Sequence, residues 1–178
     1  MNRYRSLIVT SLIAVLLACG GLINSVSAQG WYGGVSFGDA STSASGFDDS
    51  SPTTLYIGNR ISNTAAVEFA YVDLDEFDVE GFSDAYIEIS GFEVSALGLA
   101  QIGESSSIYG KVGLYIWDLD AVAFGVDVGE EDGTSLLFGL GLDIPIGETI
   151  GARLERVNYL DIEDEDVDTL NLGLYANF

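Results

Sequence analysis

Residues 170–178, at the end of the chain, read LNLGLYANF. Large apolar side chains alternate here with small or polar ones. One face of an extended chain would carry Leu170, Leu172, Leu174, Ala176 and Phe178, and the other Asn171, Gly173, Tyr175 and Asn177. Successive side chains of a β-strand point to opposite sides, so the pattern predicts a strand whose two faces meet different surroundings.

The same alternation recurs along the chain from residue 31 onward. Eight segments are predicted as strands: residues 31–38, 53–61, 65–73, 85–102, 108–118, 134–144, 149–159 and 168–178. Short connections at 62–64, 103–107 and 145–148 alternate with longer ones at 39–52, 74–84, 119–133 and 160–167. Short periplasmic turns alternating with longer outer loops are typical of outer-membrane barrels. We therefore predict an all-β fold, an eight-stranded antiparallel up-and-down transmembrane β-barrel.

The first 28 residues have the layout of a secretory signal peptide. Basic residues precede an apolar run at 7–18, and Val26-Ser27-Ala28 supplies the small residues that signal peptidase accepts. The run is shorter than the roughly 20 residues of a membrane-spanning helix. In an alternative interpretation, the sequence LLACG is a lipoprotein box and Cys19 is lipidated. Cleavage after Ala28 predicts export through the general secretory pathway and a barrel domain at 29–178.

The chain is very acidic and yet apolar on average. It has 28 acidic and 6 basic residues and a formal net charge of −22, with a mean hydropathy of +0.30. Loss of Arg3 and Arg5 with the signal peptide would take the charge from −22 to −24. Nucleic acid is a poor partner for such a surface, because its phosphates must be neutralised by Lys and Arg. In or beside the four longer connections lie 21 of the 28 acids, which predicts acidic outer loops and a weakly charged waist.

The few charges inside the strands are predicted to face the lumen when the large aliphatic residues face lipid. This lumen set contains three basic and four acidic residues: Arg60, Glu68, Glu93, Lys111, Asp143, Arg153 and Glu155. A basic residue facing lipid costs about 2–4 kcal/mol at the midplane, whereas opposite charges in a narrow lumen can pair. We interpret the set as a structural charge network, with an ion pathway as the alternative. In this assignment of faces Arg156 points outward. Either it contacts a lipid phosphate, or the assignment of inward and outward faces is wrong beyond Glu155.

Aromatic residues near strand ends are predicted to lie at the bilayer interface, where one end of the ring is apolar and the other polar. They are Trp31, Tyr32, Tyr71 and Tyr159. Strand ends of soluble proteins also carry aromatic residues, so this pattern supports the membrane only weakly.

The two ends of the predicted barrel resemble a known family. The segment QGWYGGVSFG at 29–38 resembles the opening strand of OmpA-like and OmpX-like outer-membrane barrels. The alternation that ends in Phe178 resembles the signature read by the barrel-assembly machinery, although Ala176 stands where the family often has an aromatic residue. The resemblance implies the fold, the outer-membrane location and the assembly route, and it carries over no catalytic residue.

The residues needed for several kinds of catalysis are missing from this sequence. It has no histidine, and its single cysteine, Cys19, lies in the predicted signal peptide. Ser-His-Asp triads and zinc sites built from His or Cys are therefore excluded. We predict no enzymatic activity, no cofactor and no dedicated metal site. Weak binding of divalent cations by the acidic loops is a secondary hypothesis.

The leading hypothesis is a monomeric outer-membrane protein with a structural or surface-interaction role. Its expected partners are membrane lipid and the barrel-assembly machinery. A narrow pore for small solutes or cations is the alternative, and a soluble periplasmic barrel of lipocalin type is the second alternative. The sequence leaves the ligand, the surface partner and conduction through the lumen open.

Overall fold

The computed structural model describes residues 30–79, 81, 85–103, 105–124 and 126–178. The strands are β1 (Gly30–Thr42), β2 (Thr53–Ser62), β3 (Ala65–Asp78), β4 (Ala85–Ile102), β5 (Ser106–Ala123), β6 (Val126–Pro145), β7 (Ile150–Ile162) and β8 (Glu165–Asn177). Each pairs antiparallel with the next, and β1 pairs with β8, so the sheet closes. The predicted eight-stranded antiparallel barrel is confirmed. The predicted signal peptide and its Cys19 alternative lie outside the described residues.

Within the part of the chain that the structure describes, no helix is long and apolar enough to cross a membrane.

The barrel has two different ends. We call the end with the turns β2–β3, β4–β5 and β6–β7 the inner end, and the opposite one the outer end. Large apolar side chains such as Phe69, Leu114 and Leu172 stand exposed on the outside. On each strand, the apolar band ends toward the outer end at a polar residue. We call these eight residues the outer edge: Asp39, Thr53, Asp73, Ser90, Asp118, Thr134, Arg156 and Asp168. Such a band suits a wall surrounded by hydrocarbon.

The strands continue well beyond the outer edge, which corrects the predicted long connections. Residues 119–133 are almost entirely strand, because β5 runs to Ala123 and β6 begins at Val126. Much of 74–84 and 160–167 is also strand. The ladder continues because alternation continues: Trp117 and Leu119 face inward while Asp118 faces water opposite Asp132. Many acids predicted in loops thus lie on the outer faces of strands.

Two bulges redirect side chains beyond the outer edge. The register shifts between Asp73 and Glu76 on β3, and between Tyr159 and Ile162 on β7. Each bulge contains an aspartate with positive φ, at 64° and 61°, a conformation that Asp tolerates better than most residues. The extra residue changes the phase, so that Ile162 turns inward and is buried.

The barrel interior has two layers. Charged residues occupy the part toward the inner end. Farther out lies an apolar layer, which we define as Val72, Leu74, Phe77, Ile89, Leu119 and Ile162, all buried. It was not predicted, because most of its residues fall in segments interpreted as loops.

Candidate functional site

The candidate site is the charged lumen, to which every strand from β2 to β7 contributes. Successive side chains of a strand point to opposite sides of the sheet, so every second residue faces the lumen. The predicted lumen residues of these strands stand at such inward positions. The structure brings all seven predicted lumen residues into one chain of contacts: Arg60, Glu68, Glu93, Lys111, Asp143, Arg153 and Glu155. All but Arg60 are buried.

Lys111 on β5 holds three carboxylates together. Its Nζ lies 3.0 Å from Glu93 Oε1, 3.0 Å from Glu155 Oε1 and 3.3 Å from Glu68 Oε2. The longest of these is an ion contact without hydrogen-bond alignment, since Glu68 Oε2 has no hydrogen-bond partner. An ammonium group has three donors and is here surrounded by acceptors on three different strands. Lys111 therefore links β3, β4 and β7 across the lumen.

Arg153 on β7 forms the second centre. Its Nε and Nη2 donate to Asp143 Oδ1 and Oδ2 at 2.8 and 3.2 Å, and its Nη1 donates to Glu68 Oε1 at 2.6 Å. Paired donation from a planar guanidinium to one carboxylate is a strong and directional contact. Arg60 reaches the same Asp143 at 3.4 Å from the inner mouth. Glu68, which touches both Arg153 and Lys111, joins the two centres.

A set of tyrosines completes the network and was missed from the sequence. Tyr32 donates to Glu68 Oε1 at 2.7 Å, and Tyr109 donates to Glu155 Oε2. The Arg153 guanidinium lies 4.5 Å from the ring centre of Tyr56 and 4.8 Å from that of Tyr109. The tyrosine hydroxyl groups thus help to satisfy four carboxylates that meet only three basic residues, and the ring faces stabilise the Arg153 guanidinium.

These three tyrosines and Tyr175, which is also buried, each pack over a glycine of the neighbouring strand. The cross-strand pairs are Tyr32–Gly58, Tyr56–Gly34, Tyr109–Gly141 and Tyr175–Gly151. A Cβ at any of these glycines would come within 2.1–2.5 Å of the tyrosine ring. A tyrosine at an inward position of the alternation, opposite a glycine on the next strand, is the sequence signal that could have identified the set.

The interfacial prediction for aromatic residues is half wrong. Trp31 and Tyr71 do point outward, with 52% and 38% of their surface exposed. Tyr32 and Tyr159 are 1% exposed and lie inside the barrel. Tyr32 lies on the same face of β1 as the buried Ser36, and Tyr159 lies on the same face of β7 as the buried Val157. Alternation along each strand therefore places both rings inside the barrel.

Arg156 stays on the outer face, and the phase does not end there. Val157 and Tyr159 beyond it are buried, as alternation requires. The Arg156 side chain is 69% exposed, and its Nη2 lies 3.1 Å from Asp168 Oδ1 of β8. It is therefore a basic residue at the outer edge, paired with one of the acids there.

No group of three or more His, Cys, Asp or Glu residues among those described could hold a metal ion. The carboxylates of the lumen already contact cationic side chains.

The chain is similar to a family of known proteins. A family model for the OmpA-like transmembrane domain matches residues 26–176. The curated proteins include no match to the sequence.

Several solved structures share the fold. Ail, the attachment invasion locus protein of Yersinia pestis, is 18% identical with a TM-score of 0.63, over 84% of this chain and 99% of that one. Neisserial surface protein A is 13% identical with a TM-score of 0.67, over 87% and 100%. The N-terminal barrel domain of Pseudomonas aeruginosa OprF is 14% identical with a TM-score of 0.60, over 84% and 99%. At such identities the likeness concerns the fold alone.

Proposed function

The chain belongs to the family of OmpA-like transmembrane domains, and from this we propose that it is a non-enzymatic barrel of the bacterial outer membrane that presents an acidic surface and keeps its lumen closed. The family supplies the location. The closed lumen and the acidic surface are argued from the residues of this chain.

The observation that carries the closed lumen is the apolar layer above the charge network. Phe77, Leu74 and Val72 are fully buried there, and Ile162 is 2% exposed. An ion passing through would have to leave water next to side chains that offer it no ligand, which is costly. Below the layer, Lys111 and Arg153 already occupy the middle of an eight-stranded barrel, whose interior is only wide enough for side chains. The charges are therefore proposed to stabilise the barrel and not to conduct.

The acidic surface lies at and beyond the outer edge, on the extensions of β5 and β6 and in the turn between β7 and β8. We call its exposed carboxylates the acidic rim: Asp118, Asp120, Glu130, Asp132, Glu163 and Asp164. Ail has been crystallised with sucrose octasulfate, a heparin analogue. A polysulfated ligand would be repelled by the rim of this chain, so we propose a cationic surface or segment as its partner.

Single-channel recording in planar bilayers tests the closed lumen. We expect no unitary conductance steps from purified barrel whose folding is verified by heat-modifiable migration on a gel. Regular steps from the folded wild-type protein would overturn the proposal and favour the narrow pore.

Binding to immobilised polylysine and to immobilised heparin tests the acidic rim. We expect retention on polylysine that falls as salt is raised, because exposed charges are screened within about 10 Å at 0.1 M salt. No retention on heparin is expected. A variant with Asp118, Asp120, Glu130 and Asp132 changed to the amides should elute from polylysine at a lower salt concentration, and unchanged elution would contradict the proposed partner chemistry.

Phe178 is proposed as the residue read by the barrel-assembly machinery. Its backbone N–H donates to Trp31 O at 2.8 Å, so the last residue lies against the start of β1 at the closing seam. We expect Phe178→Ala to lower the amount of barrel in the outer membrane of cells while refolding of purified protein in detergent changes little. A parallel loss in both measurements would assign Phe178 to stability and not to assembly.

A further inference from the structure

The lumen network holds one carboxylate more than it has basic residues. The carboxylates belong to Glu68, Glu93, Asp143 and Glu155, and the basic residues are Arg60, Lys111 and Arg153. All four carboxylates are buried, and the apolar layer separates them from the outer end. If every group were ionised, one negative charge would stay without a partner in a space that side chains fill, which is costly. The network therefore needs one more positive charge than its basic residues supply.

The excess negative charge lies where two carboxylates share one cation. Asp143 and Glu68 each contact two basic residues. Glu93 and Glu155 contact Lys111, whose Nζ lies 3.0 Å from an oxygen of each, and they pair with no other basic residue among the described ones. One ammonium group cannot neutralise both. The missing positive charge therefore belongs to Glu93 or Glu155.

The hydrogen bonds distinguish these two carboxylates. Both oxygens of Glu155 accept strong bonds, one from Lys111 and the other from a tyrosine hydroxyl. In Glu93, Oε1 lies 3.0 Å from Lys111 Nζ and accepts from the Ser95 hydroxyl at 2.8 Å. Its Oε2 has the hydroxyl of Tyr159 as partner, but at 3.5 Å, which is longer than the roughly 2.5–3.0 Å of an O–H···O hydrogen bond. Only one oxygen of Glu93 is thus held as an oxygen of a carboxylate.

We propose that Glu93 is a binding site for one proton, which Oε2 carries at neutral pH and donates to the Tyr159 hydroxyl. Oε1 is then the carbonyl oxygen that accepts from Ser95 and faces Lys111. A protonated carboxyl has this combination of one donor and remaining acceptor capacity. The proton is taken up from water when the barrel folds, and it leaves three ionised carboxylates opposite three basic residues.

Glu68 Oε2 is a poorer position for the proton, although it has no hydrogen-bond partner. It lies 3.3 Å from Lys111 Nζ, so a proton on this oxygen would point at a positive charge. Glu68 also contacts Arg153, which favours its ionised form.

The surroundings of Glu93 favour the proton on balance. Titratable groups face it from three strands: Glu68 on β3, Lys111 and Tyr115 on β5, and Glu155 and Tyr159 on β7. The two carboxylates favour a neutral Glu93, the two phenols are uncharged, and only the Lys111 ammonium favours the ionised form. The inference goes beyond the proposed function, since a closed lumen and an acidic rim require no particular state of protonation.

Urea unfolding of the full barrel in phosphatidylcholine vesicles, repeated over a range of pH, tests the proposal. The chain has no histidine, so side chains with ordinary titration keep their charge between about pH 6 and pH 8. An unfolded glutamate is ionised throughout this window, and the folded barrel then holds one proton more than the unfolded chain. The unfolding equilibrium constant should therefore rise about tenfold for each unit by which the pH is raised. A constant that does not change with pH would overturn the proposal.

Glu93→Gln is the diagnostic variant, because its amide offers one acceptor oxygen and one donor toward Tyr159, as the protonated carboxyl does. It should abolish the pH dependence and change the unfolding constant at neutral pH by less than about tenfold. Glu130→Gln, on the exposed face of β6, is the control and should keep the pH dependence. The same amide change at the ionised Asp143 should raise the constant more than about a hundredfold, because it removes the paired acceptor of Arg153. A pH dependence that survives Glu93→Gln would refute the assignment.

Infrared spectroscopy detects the proton without unfolding. The C=O stretch of a protonated carboxyl is separate from the stretches of an ionised carboxylate. We expect this band from the folded wild-type barrel and from Glu130→Gln at neutral pH, and no such band from Glu93→Gln. Its absence from the wild-type protein would overturn the proposal. Heat-modifiable migration verifies folding of each sample beforehand, so failure of the barrel itself is recognised separately.

Discussion

Replacing Lys111 with methionine is expected to be among the most destabilising single changes in the barrel. Methionine keeps much of the side-chain length and removes the charge, so Glu68, Glu93 and Glu155 lose the ammonium at 3.0–3.3 Å. Removing one partner of a buried ion pair costs about 3–5 kcal/mol. Three buried carboxylates lose the same cation, and among the described residues Glu93 and Glu155 pair with no other basic residue. We therefore expect the upper part of that range, a large share of the roughly 5–15 kcal/mol that stabilises a domain.

Urea unfolding of the barrel in phosphatidylcholine vesicles, followed by the fluorescence of Trp31 and Trp117, measures this loss. Arg156→Met is the control, because its exposed pair with Asp168 contributes at most about 1 kcal/mol. Adding Glu93→Gln to Lys111→Met removes one stranded carboxylate and should restore at least about 1 kcal/mol relative to the sum of the single effects. A cost below about 1 kcal/mol for Lys111→Met, or strict additivity in the double variant, would refute the network as a source of stability.

Two further predictions concern packing and pH. Gly141→Ala should cost about 1–3 kcal/mol in the same urea titration, because its Cβ would lie 2.1 Å from the ring of Tyr109, whereas Gly110→Ala, with open space, should stay within about 0.5 kcal/mol. A hydrogen bond with Glu131 raises the pKa of Glu163 above its ordinary value of 4.5. The protonated form is therefore favoured in the folded state, so the contact between the β5–β6 and β7–β8 hairpins should tighten as pH falls through that raised pKa and loosen above it. Hydrogen exchange of the two hairpins at pH 4 and 7 measures this, and Glu163→Gln should hold the contact at both pH values.

Alternation in the sequence was sufficient to predict the number of strands, their antiparallel order and the side of the barrel on which the seven lumen charges and Arg156 lie. This worked because a strand has a period of two, and a lipid-facing wall tolerates few charges. For the same reason Glu68, Lys111 and Arg153 could be placed in the lumen from a single phase. The ends of β3, β5 and β6 could not be predicted, because dense aspartate and glutamate suggested loops, although the ladder continues under them.

What the sequence by itself determined is the two-faced wall and the content of its inner face. Only the tertiary structure decided which residues contact one another across the barrel. Lys111 contacts acids up to 44 residues away along the chain, and the tyrosines turn inward beside glycines of neighbouring strands. Closure of the sheet also created the apolar layer, since its residues come from β3, β4, β5 and β7 and meet only through the stagger between strands. Alternation specifies the side on which a residue lies, but the height at which residues of different strands meet is set only by the register of the closed barrel.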